Sequence, residues 1–233
     1  MQEPITPNPV PMEDRMPGAP LQTPTLAVFG GSFDPVHYGH LKLARAIIDR
    51  RLADEVLFVP AGHPPHKSEG ALTPAEDRME MLRLALAGET GFGTSDIELN
   101  RAEGFTYTID TLTILAQVFP DHDLVFLLGM DSLRDLHKWY RAPELVAHHR
   151  LMVYPRPGVR PPAYVELTQR FGVRNAHKLF DSILEDFPLF DLSSSRIREA
   201  LAAKRRIEGL CPEAVERYIY SHSLYGAVPS DYY

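Results

Sequence analysis

The chain has 233 residues, 44% of them hydrophobic, and a formal net charge of −7, which is enough apolar material for one large core and argues against a main role in gripping a nucleic-acid backbone, since that needs a basic stripe. The single Cys211 excludes a disulfide framework or a thiolate metal cluster and suits a reducing compartment. The longest apolar stretch, near residues 124–130, is too short to span a bilayer, and no basic region followed by an apolar one opens the chain, so the sequence reads as cytoplasmic with no membrane partner.

Residues 1–24 carry seven of the 21 prolines and few large apolar side chains. Such a segment cannot bury enough surface to offset its ordering entropy, and a disordered or loosely attached tail is expected there. Met12 and Met16 lie inside it, so a later start of translation is one hypothesis; an intact mass of the native protein beginning at Met1 would exclude it.

The apolar run 26–29 then empties into Gly30-Gly31-Ser32-Phe33-Asp34-Pro35-Val36-His37-Tyr38-Gly39-His40, a pattern of strand, tight turn and helix. His37 and His40 stand three apart, on one face of the first helical turn, where free backbone N–H groups and the helix dipole favour an anion. Leu41, Ala44, Ile47, Ile48 and Leu52 recur at helical spacing, and residues 56–60 form a second strand, giving a β-α-β unit.

The loop Ala61-Gly62-His63-Pro64-Pro65-His66-Lys67 carries titratable and cationic groups, although a solvated connector explains it as readily. Thr73 as cap, Pro74 at the first position and Glu76 announce another helix through Met79, Leu82 and Leu86. A strand is expected at 94–99. The helix through Ile109, Leu112 and Leu115 is expected to be capped by one of the threonines Thr106 and Thr108.

Residues 124–128 are the most apolar strand, fit for the sheet centre, and end in Gly129-Met130-Asp131-Ser132. An acid just past a central strand can hold a ribose hydroxyl pair; helix capping explains Asp131 almost as well. Trp139-Tyr140 read by default as buried and, more sharply, as a wall for a planar ring. A strand at 151–154 closes on Arg156-Pro157-Gly158, residues 178–190 are expected to hold one more strand, and a last helix spans about 212–225. Between them, Ser193-Ser194-Ser195 opens a helix whose first turn holds Arg196 and Arg198 and no acid before Glu199. That inverts the usual preference, and makes sense if a polyanion binds at the helix start.

The alternation of strands and helices predicts a Rossmann-like, doubly wound α/β fold with a mainly parallel sheet and helices on both faces. The loops after its strands would share one rim, where such sheets bind ligands. Neither G-x-x-x-x-G-K-[ST] nor G-x-G-x-x-G is present, and the histidines lack a third zinc ligand at usable spacing.

Residues 30–40 resemble the His-x-Gly-His signature of the nucleotidyltransferase superfamily, and Ser193-Ser194-Ser195-Arg196-Ile197-Arg198 is similar to its second signature. Within it, Pro64-Pro65-His66-Lys67, Tyr107-Thr108, Gly129-x-Asp131-Ser132, Trp139-Tyr140 and Arg156-Pro157-Gly158 resemble, in order, the pattern of bacterial nicotinate-nucleotide adenylyltransferases. The resemblance spans about residues 25–226, which is expected to be one domain between the 1–24 tail and a short tail at 227–233. It implies condensation of ATP with nicotinate mononucleotide to nicotinate adenine dinucleotide and pyrophosphate, with Mg²⁺ arriving on the triphosphate. His37, His40 and Arg198 are implied as catalytic; Gly30, Gly31, Ser32, Phe33, Asp131, Ser194 and Ser195 as further ATP contacts; His66, Lys67, Tyr107, Thr108, Trp139 and Tyr140 as contacts to the nicotinate nucleotide. No nucleic acid is implied as partner, and a homo-oligomer is admitted. A sister enzyme using nicotinamide mononucleotide or phosphopantetheine, and a nucleotide sensor without catalysis, are the competing readings.

Overall fold

The computed structural model describes residues 23–64, 72–101 and 104–228. The tail through residue 22, His66 and Lys67, and the end of the C-terminal tail from 229 lie outside the described residues. A sheet of β1 (Thr25–Gly31), β2 (Glu55–Pro60), β3 (Phe92–Thr94), β4 (Asp123–Gly129) and β5 (Arg150–Tyr154) has the order β3-β2-β1-β4-β5, with every pairing parallel. Successive strand residues point to opposite faces, and both faces are covered, which is why these strands are continuous apolar runs.

Ala27, Phe29, Val56 and Phe58 face one core with α1 (Tyr38–Asp49), α2 (Ala75–Leu86), α7 (Ser194–Ala202) and α8 (Glu213–Ser221). Leu26, Val28, Leu57 and Val59 face the other with α3 (Thr108–Val118), α4 (Met130–Asp135), α5 (Ala142–His148) and α6 (Tyr164–Asp181). This is the doubly wound α/β architecture read from the sequence. The strand order reverses between β1 and β4, so their carboxyl ends open the crevice where such sheets hold ligands. Among the described residues no helix is long and apolar enough to cross a membrane.

Several local expectations are corrected. The strand expected at 94–99 lies earlier, at β3: past Thr94 the chain turns, and the Asp96 carbonyl accepts the N–H groups of Leu99 and Asn100. Pro74, not Thr73, is the cap residue of α2. Tyr107 caps α3 through its backbone carbonyl, which accepts from the N–H groups of Asp110 and Thr111, so neither threonine serves as cap. The strand at 124–128 is interior, but the centre of the sheet is β1. The extra strand expected at 178–190 is instead the end of α6 followed by loop, with only Ile183 bridging Val153 on β5. The last helix ends at Ser221, because Ser223 turns left-handed (φ 52°) before a short 3-10 turn at Leu224–Gly226.

Candidate active site

Gly30 and Gly31 end β1, and the chain reaches the start of α1 through a loop whose Phe33 ring lies in the core, edge-on to Phe29 and His40. Phe33 therefore supports the site from below rather than lining it. His37, in extended conformation, is the N-cap of α1, and its ring stacks on His40 with centroids 3.7 Å apart and planes 20° from parallel. The close approach depends on Gly39, where an added Cβ would sit 2.9 Å from His37 Nδ1 and 3.3 Å from Leu192 Cβ.

The His37 backbone N–H donates to His40 Nδ1 at 3.3 Å. An Nδ1 that accepts leaves the proton of a neutral ring on Nε2, so His40 presents an Nε2–H donor. Burial first, then the charge of Arg156, lowers the His37 pKa to about 4. Burial, then His37, then Arg156, hold His40 well below the usual imidazole range. Both rings are thus neutral donors near pH 7 in the absence of an anion. His37 Nδ1 is buried without a hydrogen-bond partner.

The start of α7 is joined directly to this loop. Ser193 caps it, accepting from the Arg196 N–H, while Ser194 Oγ donates to the Pro35 carbonyl at 2.8 Å. Arg198 Nη1 donates to the Asp34 carbonyl at 2.7 Å, and its Nη2 to Ser195 Oγ at 3.2 Å. Arg196 turns the other way, to the side chain and carbonyl of Asp191. The Asp34 carboxylate in turn accepts from Tyr225 Oη at 2.6 Å and from the Thr73 N–H at 3.4 Å. Two helix starts, each rich in N–H donors, are therefore held together by hydrogen bonds to Asp34 and Pro35.

Across the crevice, Asp131 lies just inside α4 with its carboxylate exposed and 3.4 Å from Arg156 Nε; Gly129 occupies the cap position, so Asp131 is not a cap. Arg156 also donates through Nη2 to Tyr154 Oη at 3.3 Å. A cleft of about 330 Å³ runs between these residues and the approach to α7, lined by Asp131, Arg156, Val159, Phe190, Leu192 and Ser193. Arg156 went unassigned in the sequence beyond its Arg-Pro-Gly turn. The position rule that singled out Asp131, just past the end of a strand, applies equally to Arg156 after β5.

At the other end of the rim, the loop after β2 is held against α3. The Gly62 N–H donates to Glu98 Oε2 at 3.2 Å, Thr111 Oγ1 donates to Glu98 Oε1 at 2.8 Å, and the Thr106 N–H donates to the His63 carbonyl. Tyr107 and Tyr140 pack ring on ring, 4.3 Å between centroids, and Tyr140 is half exposed, which overturns burial as its default. Trp139 is partly buried, edge-on to Phe126 of β4. Thr108 is the first residue of α3. Among the described residues no group of three or more His, Cys, Asp or Glu side chains could hold a metal ion. The nearby acids are engaged, Asp131 by Arg156 and Asp34 by Tyr225 and Thr73.

Comparison with known proteins bears on the family and the fold. The cytidylyltransferase-like family model matches residues 28–200. A protein of Gloeobacter violaceus described as a probable nicotinate-nucleotide adenylyltransferase is 46% identical over 204 residues, covering 86% of this chain and 95% of that protein. One of the same description from Dehalococcoides mccartyi is 40% identical over 200 residues, covering 85% and 95%. The solved structure of a Plasmodium falciparum nicotinic acid mononucleotide adenylyltransferase complexed with NaAD shares the fold, with TM-score 0.70 at 21% identity over 88% of this chain and 99% of that one.

Proposed function

The chain belongs to the nicotinate-nucleotide adenylyltransferases of the cytidylyltransferase-like family, and from that membership we propose how its residues divide the work. It is a nucleotidyltransferase of NAD biosynthesis, joining the adenylyl group of ATP to nicotinate mononucleotide and releasing pyrophosphate. A phosphate oxygen of the mononucleotide forms the new bond to the α-phosphorus as the bond to pyrophosphate breaks. That oxygen is ionised at neutral pH, so no proton has to be removed from it. The protein's task is to align two anions and to stabilise charge as it moves toward the leaving group.

His37 and His40 donate to oxygens at the α-phosphoryl group, His40 through Nε2. Their depressed pKa values in the free protein suit donors that bring no charge of their own until an anion arrives and raises them. Arg198, with Ser194, Ser195 and the free N–H groups of α7, takes the β- and γ-phosphates, leaving the Asp34 carbonyl for a stronger, charged acceptor. Backbone around Gly30, Gly31 and Ser32 lines the same path. Asp131 accepts from ribose hydroxyls of the adenosine, and Arg156 steadies that carboxylate.

Tyr107, Thr108, Trp139 and Tyr140 take the nicotinate ring and its ribose side, with His66 and Lys67 assigned to the mononucleotide phosphate from the resemblance alone. Mg²⁺, implied by the resemblance, is assigned to the substrate as MgATP, held by phosphate oxygens and water. The observation that supports this division is the joining of two helix starts through Asp34 and Pro35. Pyrophosphate release measured with nicotinate mononucleotide, nicotinamide mononucleotide and phosphopantetheine under equal ATP tests the acceptor. The nicotinate form is expected to be fastest; a higher kcat/KM with either rival would overturn the assignment.

A further inference from the structure

Arg78 is 2% exposed, in the first turn of α2, on the face that continues through Leu82 into the core. Burying a guanidinium is costly, and a methionine or leucine would pack there without that cost. What arginine supplies is a rigid fork of donors. Its Nη1 donates to the Ala61 carbonyl at 2.8 Å and to the Ser32 carbonyl at 3.1 Å, and its Nε to the Thr73 carbonyl at 2.9 Å. Ser32 belongs to the loop carrying the two histidines. Ala61 and Thr73 bracket the segment between β2 and α2. One buried cation therefore joins both ends of that segment to the histidine loop.

The three ties differ in how much other support they have. The histidine loop is also held by Arg198, Ser194 and Tyr225, and Ala61 also donates from its N–H to the Gly31 carbonyl. At Thr73 the other ties are the 3.4 Å contact of its N–H with Asp34 and a side-chain hydrogen bond with Tyr225. We infer that Arg78 is a positioning residue: it fixes Ala61 and Thr73 to the histidine loop and, through the His63 carbonyl that accepts from the Thr106 N–H, sets the acceptor residues Tyr107 and Thr108 in register with the α-phosphoryl group. This rests on the acceptor assignment above.

Arg78→Lys keeps the charge and loses the fork; Arg78→Met removes both while keeping length. With nicotinate mononucleotide, either variant is expected to raise the acceptor KM about tenfold and lower kcat about 100-fold, the scale of a small misalignment, with KM for ATP within about threefold. Amide exchange should quicken at Gly62, Thr73 and Thr106, whose N–H groups are bonded in this region, while the core of β1 and β4 keeps its protection. Unchanged exchange at those amides would overturn the inference whatever the turnover. So would equal losses toward both substrates, or a loss that merely follows the folded fraction in thermal unfolding. Failure of wild type to use nicotinate mononucleotide would count against the acceptor assignment instead, and the exchange result would still judge Arg78. Should the methionine variant fail to fold, the lysine variant decides.

Discussion

The two helix starts that meet over the first loop use one backbone device with opposite side chains. At α1 the cap is a buried histidine stacked on a second, both neutral and wedged against the core by Phe33 and Gly39. At α7 the cap is a serine, and the side chain reaching the loop is a permanently charged arginine on two neutral oxygen acceptors. A packed neutral donor cannot move far, so it suits the atom at which bonds change. A long cation on replaceable acceptors suits phosphates whose position varies as pyrophosphate departs.

The sharpest way to break this contrast is at His40. His40→Ala should lower kcat about 1,000-fold, the cost of removing one well-placed donor to a transition state, in a variant that still folds; pyrophosphate release near the wild-type rate from a folded variant would end the assignment. The next effect is on stability. The folded His37 value of about 4 lies below the ordinary 6.5, so the unfolded chain binds the proton first. The His37 contribution to stability should therefore fall as pH drops from about 6.5 toward 4 and level off below, by about 3 kcal/mol. Urea unfolding across that window, for wild type and His37→Asn, isolates this contribution; parallel curves would contradict it.

Gly39→Ala should push the His37 ring from its stack and lower kcat about 100-fold without any change in donor chemistry. Full activity there would mean that the histidine geometry is not critical. The smallest effect is expected at the other helix. Arg198→Lys keeps the charge, loses the fork, and should raise KM for ATP about tenfold. A kcat loss as large as that of His40→Ala would erase the distinction between the two starts.

Much of the rim was legible because its signals are local. Paired glycines after an apolar run, histidines three apart and serines before an arginine-rich turn each declare a helix start within a dozen residues, and strand ends follow from apolar run lengths. The failures have local causes too. Residues 178–190 mix apolar and acidic side chains in a way that imitates a half-buried strand, but α6 runs to Asp181 and leaves only Ile183 at the edge of β5. A threonine and a proline before a helix suggested the usual cap one residue too early. Arg78 drew no reading from the sequence, because its partners Ser32, Ala61 and Thr73 meet only in the folded chain.

The sequence by itself determined the α/β alternation, the two anion-favouring helix starts and the residues of the first loop, since these depend on neighbours within one turn of helix or one pleat of strand. Tertiary structure alone decided that Arg198 would lie on Asp34, 164 positions away, and that Tyr225 would close on the same residue. It also decided that Arg78 would gather Ser32, Ala61 and Thr73. Those contacts follow from strand order and helix packing, which bring distant loops to one edge of the sheet, and no short-range pattern encodes them.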